Sequence, residues 1–369
     1  MPLFIFARHL KVQAGFNFHL QEAKMVSYQP QQAWQDPRGG EVQRVVIDNG
    51  IIAMEVLSLG GIIRSLSTAD KHGQRDNIVL GCDSVADYLT QQAYLGAIAG
   101  RYANRIANGQ FHLNGVDYPL SVNQASNCLH GGEAGFHQKH WQMSQVANGV
   151  RLTLTSPDGD MGFPGECQVQ LDYLLDGDSL VVEMHANVNK TCPISLTQHS
   201  YFNLAGQQSR SNHQHLIQVD AKQYLSMNDV GVPTGIHPTA NSDLDLQQAT
   251  PMAVQQQRSA LAATQGFDHC YVLEQTQGLA RFGCLSEPTT GRTMTVYTNQ
   301  PGVQLYGANF LGGNIGFEQQ HYQQHQAVCI EPQMLPDSPN QAHLPGNAFI
   351  KPNETYHHLS RYQFGLIGQ

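Results

Sequence analysis

Charge is scarce in this chain. Only 13% of the 369 residues are charged, and 20 Lys and Arg face 29 Asp and Glu, a formal net charge of −9. Binding to nucleic acid or to an anionic membrane surface needs basic surface, so neither is expected as a partner. No apolar run reaches the roughly 20 residues of a membrane span. The seven cysteines (Cys82, Cys128, Cys167, Cys192, Cys270, Cys284 and Cys329) are scattered, odd in number and without a C-x-x-C pair. Reduced, buried thiols and a cytoplasmic setting are the expectation. There is no Walker loop and no G-x-S-x-G elbow. Strands and helices do not alternate, which argues against a doubly wound parallel sheet.

From about residue 40 the pattern is strand, turn, strand. Arg44–Asp48 and Ile51–Leu57 flank Asn49-Gly50, a strong short hairpin signal. Further strands are expected at Val150–Thr155, Cys167–Leu174, Ser179–Val188, Leu216–Asp220, Cys270–Leu273, Thr293–Thr298 and Ala327–Ile330. Helical patterning is limited to Ser84–Thr90, with Asp83 or Ser84 as a cap, and Met252–Ala263. Strands this numerous require twisted sheets packed face to face, so the expected class is all-β, a large antiparallel β-sandwich with few short helices. Residues 1–30 are expected to be an N-terminal extension outside the core. Arg8, His9 and Lys11 interrupt the apolar stretch of this segment, unlike a signal peptide. Residues 31–369 are expected to form a single domain.

Six polar clusters lie among these strands. Ile330-Glu331-Pro332-Gln333-Met334-Leu335-Pro336-Asp337 puts a carboxylate at the end of an apolar strand. Partial desolvation there raises a carboxyl pKa and suits it to accept protons, although a strand-end glutamate in a salt bridge is the ordinary alternative. Gly100–Gly109 holds Arg101, Asn104, Arg105 and Asn108, which suit either polyol hydroxyls or solvent. His130 precedes Gly131-Gly132, where a ligand can approach closely, but a lone histidine is more often structural. Around His199 the alternation puts His199 and Tyr201 on one face and Ser200 and Phe202 on the other. Histidine is the commonest proton donor near neutral pH. Asp268 in Gly266-Phe267-Asp268-His269 and Gln304 in Gln300-Pro301-Gly302-Val303-Gln304 complete the set. Other chemistries are weaker. His213 and His215 form an H-x-H pair without a suitably spaced third ligand, and Glu331 with Asp268 leaves a glycosidase pair open.

Taken in order, Gly-Arg-x-Ala-Asn-Arg-Ile (100–106), Leu-His-Gly-Gly (129–132), His-Ser-Tyr-Phe-Asn-Leu (199–204), Gly-Phe-Asp-His (266–269), Gln-Pro-Gly-Val-Gln (300–304) and Glu-x-Gln…Pro-Asp (331–337) give the chain a likeness. It resembles the aldose 1-epimerases, or galactose mutarotases. The resemblance implies a galactose mutarotase-like β-sandwich that interconverts the α and β anomers of free aldohexoses such as galactose or glucose. It implies no cofactor and no metal, in a monomer or homodimer. Residue by residue it implies His199 as general acid and Glu331 as general base. Asn104, Arg105, His130, Tyr201, Asp268 and Gln304 then bind the sugar. Pro332, Ala308 and Asn353 depart from the usual pattern and bear on sugar preference more than on reaction type. Two rivals carry distinct expectations. A hexose-6-phosphate mutarotase would recruit Arg101 and Arg105 to a phosphate, and a non-catalytic carbohydrate-binding sandwich would accelerate nothing.

Overall fold

The computed structural model describes residues 26–274 and 276–368. Nearly all of its regular structure is antiparallel strand. The central sheet has nine strands, in the order Gln142–Val146, Gly149–Ser156, Cys167–Asp176, Ser179–Val188, Thr355–Leu366, Arg292–Thr298, Ala280–Ser286, Leu216–Val219 and Thr250–Pro251. Period-two alternation is clean in Ser179–Val188, where Val182, Met184 and Ala186 are buried and Glu183 and His185 are not. Such alternation makes a sheet with one core face. A five-stranded sheet packs on that face, in the order Pro233–Pro238, Gln223–Met227, Asp268–Val272, Gly302–Tyr306 and Cys329–Gln333. Its Val303, Leu305 and Ile330 join Leu171, Val182, Met184 and Tyr362 in one apolar cluster. The Tyr362 hydroxyl crosses between the sheets to donate to the Ile330 carbonyl at 3.2 Å.

A second five-stranded meander runs from Ser27–Gln35 through Arg75–Asn77. Its first hairpin turns at Asn49-Gly50 as expected. Asp48 and Asn49 side chains accept the N–H groups of Gly50, Ile51 and Ile52 at 2.6, 2.9 and 2.8 Å. The boundary expected at residue 30 needs correction. Ser27–Gln35 is a strand paired with Glu41–Asp48, so residues 27–30 belong to the sheet. Val26 also packs against the core, and the rest of the expected extension, residues 1–25, lies outside the described residues.

The helix Val85–Thr90 starts where expected, with Ser84 Oγ capping the Asp87 N–H at 3.1 Å. The second expected helix is different: Met252–Gln256 and Ser259–Leu261 are separate 3₁₀ turns. Asp243 divides them. Its carboxylate caps the Ala260 N–H at 2.9 Å and its carbonyl accepts Arg258 Nη1, so Arg258 is drawn into extended backbone.

Buried histidines give the fold an acid limit. Burial holds the imidazole of His215 down to about 4 and that of His358 down to about 3. Both folded values lie below the ordinary 6.5, so unfolding takes up protons. Their contribution is complete above about pH 6.5 and is lost as pH falls toward about 4. The expected result is a Tm clearly lower near pH 4.5 than near pH 7, with a smaller drop in His358→Asn (roughly this window). Calorimetric scans that show equal Tm at both pH values exclude this linkage.

Candidate active site

The five-stranded sheet forms one wall of a cavity. Gln304 stands opposite both Cys270 and Glu331, and Asp268 lies two residues before Cys270. Opposed residues share a face, as do residues two apart, so Asp268, Gln304 and Glu331 all project from one side. Pro332 follows Glu331 in an edge strand, where a strand proline is tolerated.

A second wall comes from the short pair Arg105–Ile106 and Cys128–Leu129. The Pro336-Asp337 loop pins it: Asp337 Oδ1 accepts the Ala107 N–H at 2.9 Å and the Asp337 N–H donates to the Arg105 carbonyl at 2.8 Å. His130 has a φ of 52° and leads into Gly131 at 88°. A Cβ on Gly131 would fall 1.9 Å from the Gly100 carbonyl oxygen, which explains why glycine follows His130. The third wall is His199–Tyr201, just beyond the strand Thr197–Gln198. The regular strand ends before His199, yet the expected facing holds. The His199 and Tyr201 rings stack with centroids 5.2 Å apart.

These walls enclose about 740 Å³, lined by Asn104, Arg105, His130, His199, Tyr201, Asp268, Gln304 and Glu331 among others. All eight candidates therefore meet in one place. His199 Nε2 lies 3.5 Å from Glu331 Oε2, too far for a good hydrogen bond. Glu331 Oε2, His199 Nδ1 and Gln304 Oε1 are buried without partners. Buried polar atoms are normally satisfied, and these three belong to side chains that line the cavity, where a polar ligand can pair with them.

Other partners are fixed in advance. Gln304 Nε2 donates to Asp268 Oδ1 at 2.6 Å, and Arg105 Nη2 lies 3.7 Å from Asp268 Oδ2. Arg105 Nε donates to Gln124 Oε1 at 2.7 Å. His130 Nδ1 accepts the Asn104 N–H at 3.2 Å, so its Nε2 carries the hydrogen and can donate into the cavity.

Electrostatics depart from the charged pair that a general acid and base suggest. Burial raises the Glu331 carboxyl well above its ordinary range, with the Asp268 charge adding to the rise and Arg105 opposing it. Burial lowers His199 to about 4, partly offset by a backbone hydrogen bond and by Asp268. Burial thus favours a protonated Glu331 and a neutral His199 imidazole, one proton between the two groups. That is the same proton count as an imidazolium and a carboxylate.

Two of the rival readings lose support here. Arg101 is 2% exposed and faces away from the cavity. It donates to the carbonyls of Ser156, Pro157, Pro164 and Gly165 at 2.9, 2.7, 3.2 and 2.8 Å, so it has nothing left for a phosphate. The His213/His215 pair does not converge on a metal. His215 Nε2 accepts the Leu204 N–H at 2.8 Å and its Nδ1 lies 3.2 Å from the Asn212 carbonyl. Among the lining residues that no sequence motif marks are Tyr94, Gln124 and His137. Tyr94 contacts three histidines, with ring centroids 4.7 Å from His130, 4.6 Å from His137 and 6.0 Å from His199.

The sequence pattern of the aldose 1-epimerase family matches residues 43–363. The chain belongs to this family. Among individual relatives, the galactose mutarotase of Mus musculus is 37% identical over 330 residues, covering 89% of this chain and 95% of that protein. The aldose 1-epimerase of Escherichia coli K12 is 34% identical over 327 residues, with 86% and 93% covered. The crystal structure of galactose 1-epimerase from Lactobacillus acidophilus superposes with a TM-score of 0.78 at 23% identity, over 92% of this chain and 99% of the other. An aldose epimerase homologue from C. elegans gives 0.79 at 22%, over 93% and 100%. These two structures support the galactose mutarotase-like β-sandwich.

Proposed function

We propose that His199 and Glu331 are the acid and base with which this aldose 1-epimerase interconverts the α and β anomers of free aldohexoses, galactose and glucose among them. The observation that carries the assignment is the pair of unpartnered buried atoms, Glu331 Oε2 and His199 Nδ1, on two side chains 3.5 Å apart inside one cavity.

Mutarotation needs one proton removed from the anomeric hydroxyl and one delivered to the ring oxygen. Burial favours the proton on Glu331 over the charged pair. A bound pyranose supplies hydroxyls to the orphaned carboxylate oxygen, which favours its ionised form, and the proton passes to His199. Glu331 then takes the anomeric proton while His199 protonates the ring oxygen. The hemiacetal opens, the aldehyde turns about its C1–C2 bond, and ring closure on the other face returns both protons. Nothing stronger than a hemiacetal is broken. Arg105 and the Nε2–H of His130 are placed to donate to sugar oxygens, and Asp268 and Gln304 to accept from and donate to its hydroxyls. Asn104 and Tyr201 hold His130 and His199 in place.

Asp268→Asn and Arg105→Ala are expected to raise KM by about tenfold or more, with a smaller change in kcat, because each removes binding made before the chemical step. Polarimetry with α-D-galactose over a range of concentrations separates the two parameters. An unchanged KM in both variants removes them from sugar binding. The same assay tests the reading as a whole: free hexose should mutarotate faster with the protein. Acceleration only of hexose 6-phosphate, or of neither sugar, overturns it. The commitment of Arg101 to four carbonyls already weighs against a phosphate site.

A further inference from the structure

The outer face of the nine-stranded sheet carries a second cluster, on strands that do not line the cavity. Ser179–Val188 and Thr355–Leu366 run antiparallel with His185 directly opposite His357. Alternation turns Met184, Ala186 and His358 into the core and leaves Glu183, His185 and His357 outside, each side chain 30–43% exposed. The two imidazoles stack with centroids 4.7 Å apart and planes 11° apart. Glu183 Oε1 lies 3.0 Å from His357 Nε2 and 3.3 Å from His185 Nε2. One ligand atom from each residue falls within 4.8 Å of the other two.

This spacing matches a metal centre. Nitrogen and oxygen donors bind zinc at about 2.0–2.2 Å, and at tetrahedral angles two such donors stand about 3.3 Å apart. Both carboxylate–imidazole distances already come close to that spacing, and the two exposed rings complete it by turning out of their stack so that both Nε2 lone pairs converge. Partial exposure leaves the fourth position to water. Nearby groups do not compete: Asp172, opposite Glu183, is held by Arg151 at 2.6 and 2.7 Å, and Gln170, opposite His185, donates to Asp172 at 3.1 Å. Two imidazoles and one carboxylate select a borderline dication over Mg²⁺ or Ca²⁺, which prefer all-oxygen shells.

We propose that Glu183, His185 and His357 bind a transition-metal dication, Zn²⁺ or its Ni²⁺ and Cu²⁺ neighbours, on the outer face of the sheet and so tie the two strands together. The cavity's own His130, His199 and Glu331 also lie within 4.8 Å of one another. They are the poorer site. The Asn104 N–H occupies His130 Nδ1 and keeps the hydrogen on Nε2, and burial disfavours the ionised Glu331 that a metal would need. A metal bound only to the folded chain raises Tm by mass action.

The test is calorimetric titration of Zn²⁺ into the metal-free full chain and into the His185→Asn/His357→Asn double variant, with Tm and polarimetric activity measured on both. The expected result is one Zn²⁺ bound by the parent chain, with affinity at least ~10-fold weaker in the variant. The Zn²⁺-dependent rise in Tm should also vanish in the variant, while mutarotation without metal stays the same in both. Equal affinity in the two proteins, including binding that accompanies lost mutarotation, overturns the proposal. So does a parent chain that binds no Zn²⁺.

Discussion

Glu331→Gln is expected to lower mutarotase turnover by at least ~100-fold while leaving the folded protein as stable as the parent, or more so. The amide cannot accept the anomeric proton, which removes one of the two proton-transfer groups. Its effect on the fold is opposite to what loss of a buried charge usually brings. Burial already favours the neutral carboxylic acid at this position, so a neutral amide fills the same space without the cost of desolvating a carboxylate. His199→Asn is expected to cost a similar factor. Because the two groups act on one proton relay, the double variant should lose little beyond either single one. Polarimetry on galactose, paired with thermal melts, reads both quantities. Near-parental turnover in either single variant refutes the assignment, and a large Tm loss in Glu331→Gln refutes the account of its protonation.

The second large effect is on stability. Arg101→Met is expected to cost at least ~3 kcal/mol, because it leaves three buried carbonyls and a fourth, half-buried one without their donor. For a chain of this size that corresponds to a Tm lower by roughly 4 °C or more. Arg101 binds Ser156 through both its hydroxyl and its carbonyl, so the loop from 156 to 165 depends on one side chain for its attachment to the sugar-site segment. A Tm within about 1 °C of the parent shows that water satisfies those carbonyls equally well.

Arg101 also shows how much of the site the sequence made legible. Arg101 and Arg105 sit four residues apart in one motif and look equally suited to a ligand. Only the tertiary path separates them: one is swallowed by a neighbouring loop and the other is aimed across the cavity at Asp268. Local rules did well where the cause was local. Asn49-Gly50, the Ser84 cap and the alternating strands all have their reasons within a few residues. The eight motif residues were found through their pattern, and they meet as the pattern implies. Tyr94, Gln124 and His137 carried no such signal, because their importance comes from contacts with segments distant in sequence. The direction in which burial shifts Glu331 and His199 was equally hidden. It depends on how completely three separate walls exclude water, and no window of sequence contains all three. The Met252–Ala263 helix failed for a similar reason, since Asp243, which splits it, lies outside the periodic segment.

The position of Thr355–Leu366 has one more consequence. This strand lies between Ser179–Val188 and Arg292–Thr298 in the nine-stranded sheet, although it is the last of the described strands in chain order. Without it the strands on either side have no hydrogen-bonded link within that sheet. Completing the sheet therefore requires pairing between segments far apart in sequence, the kind of wiring that makes folding slow.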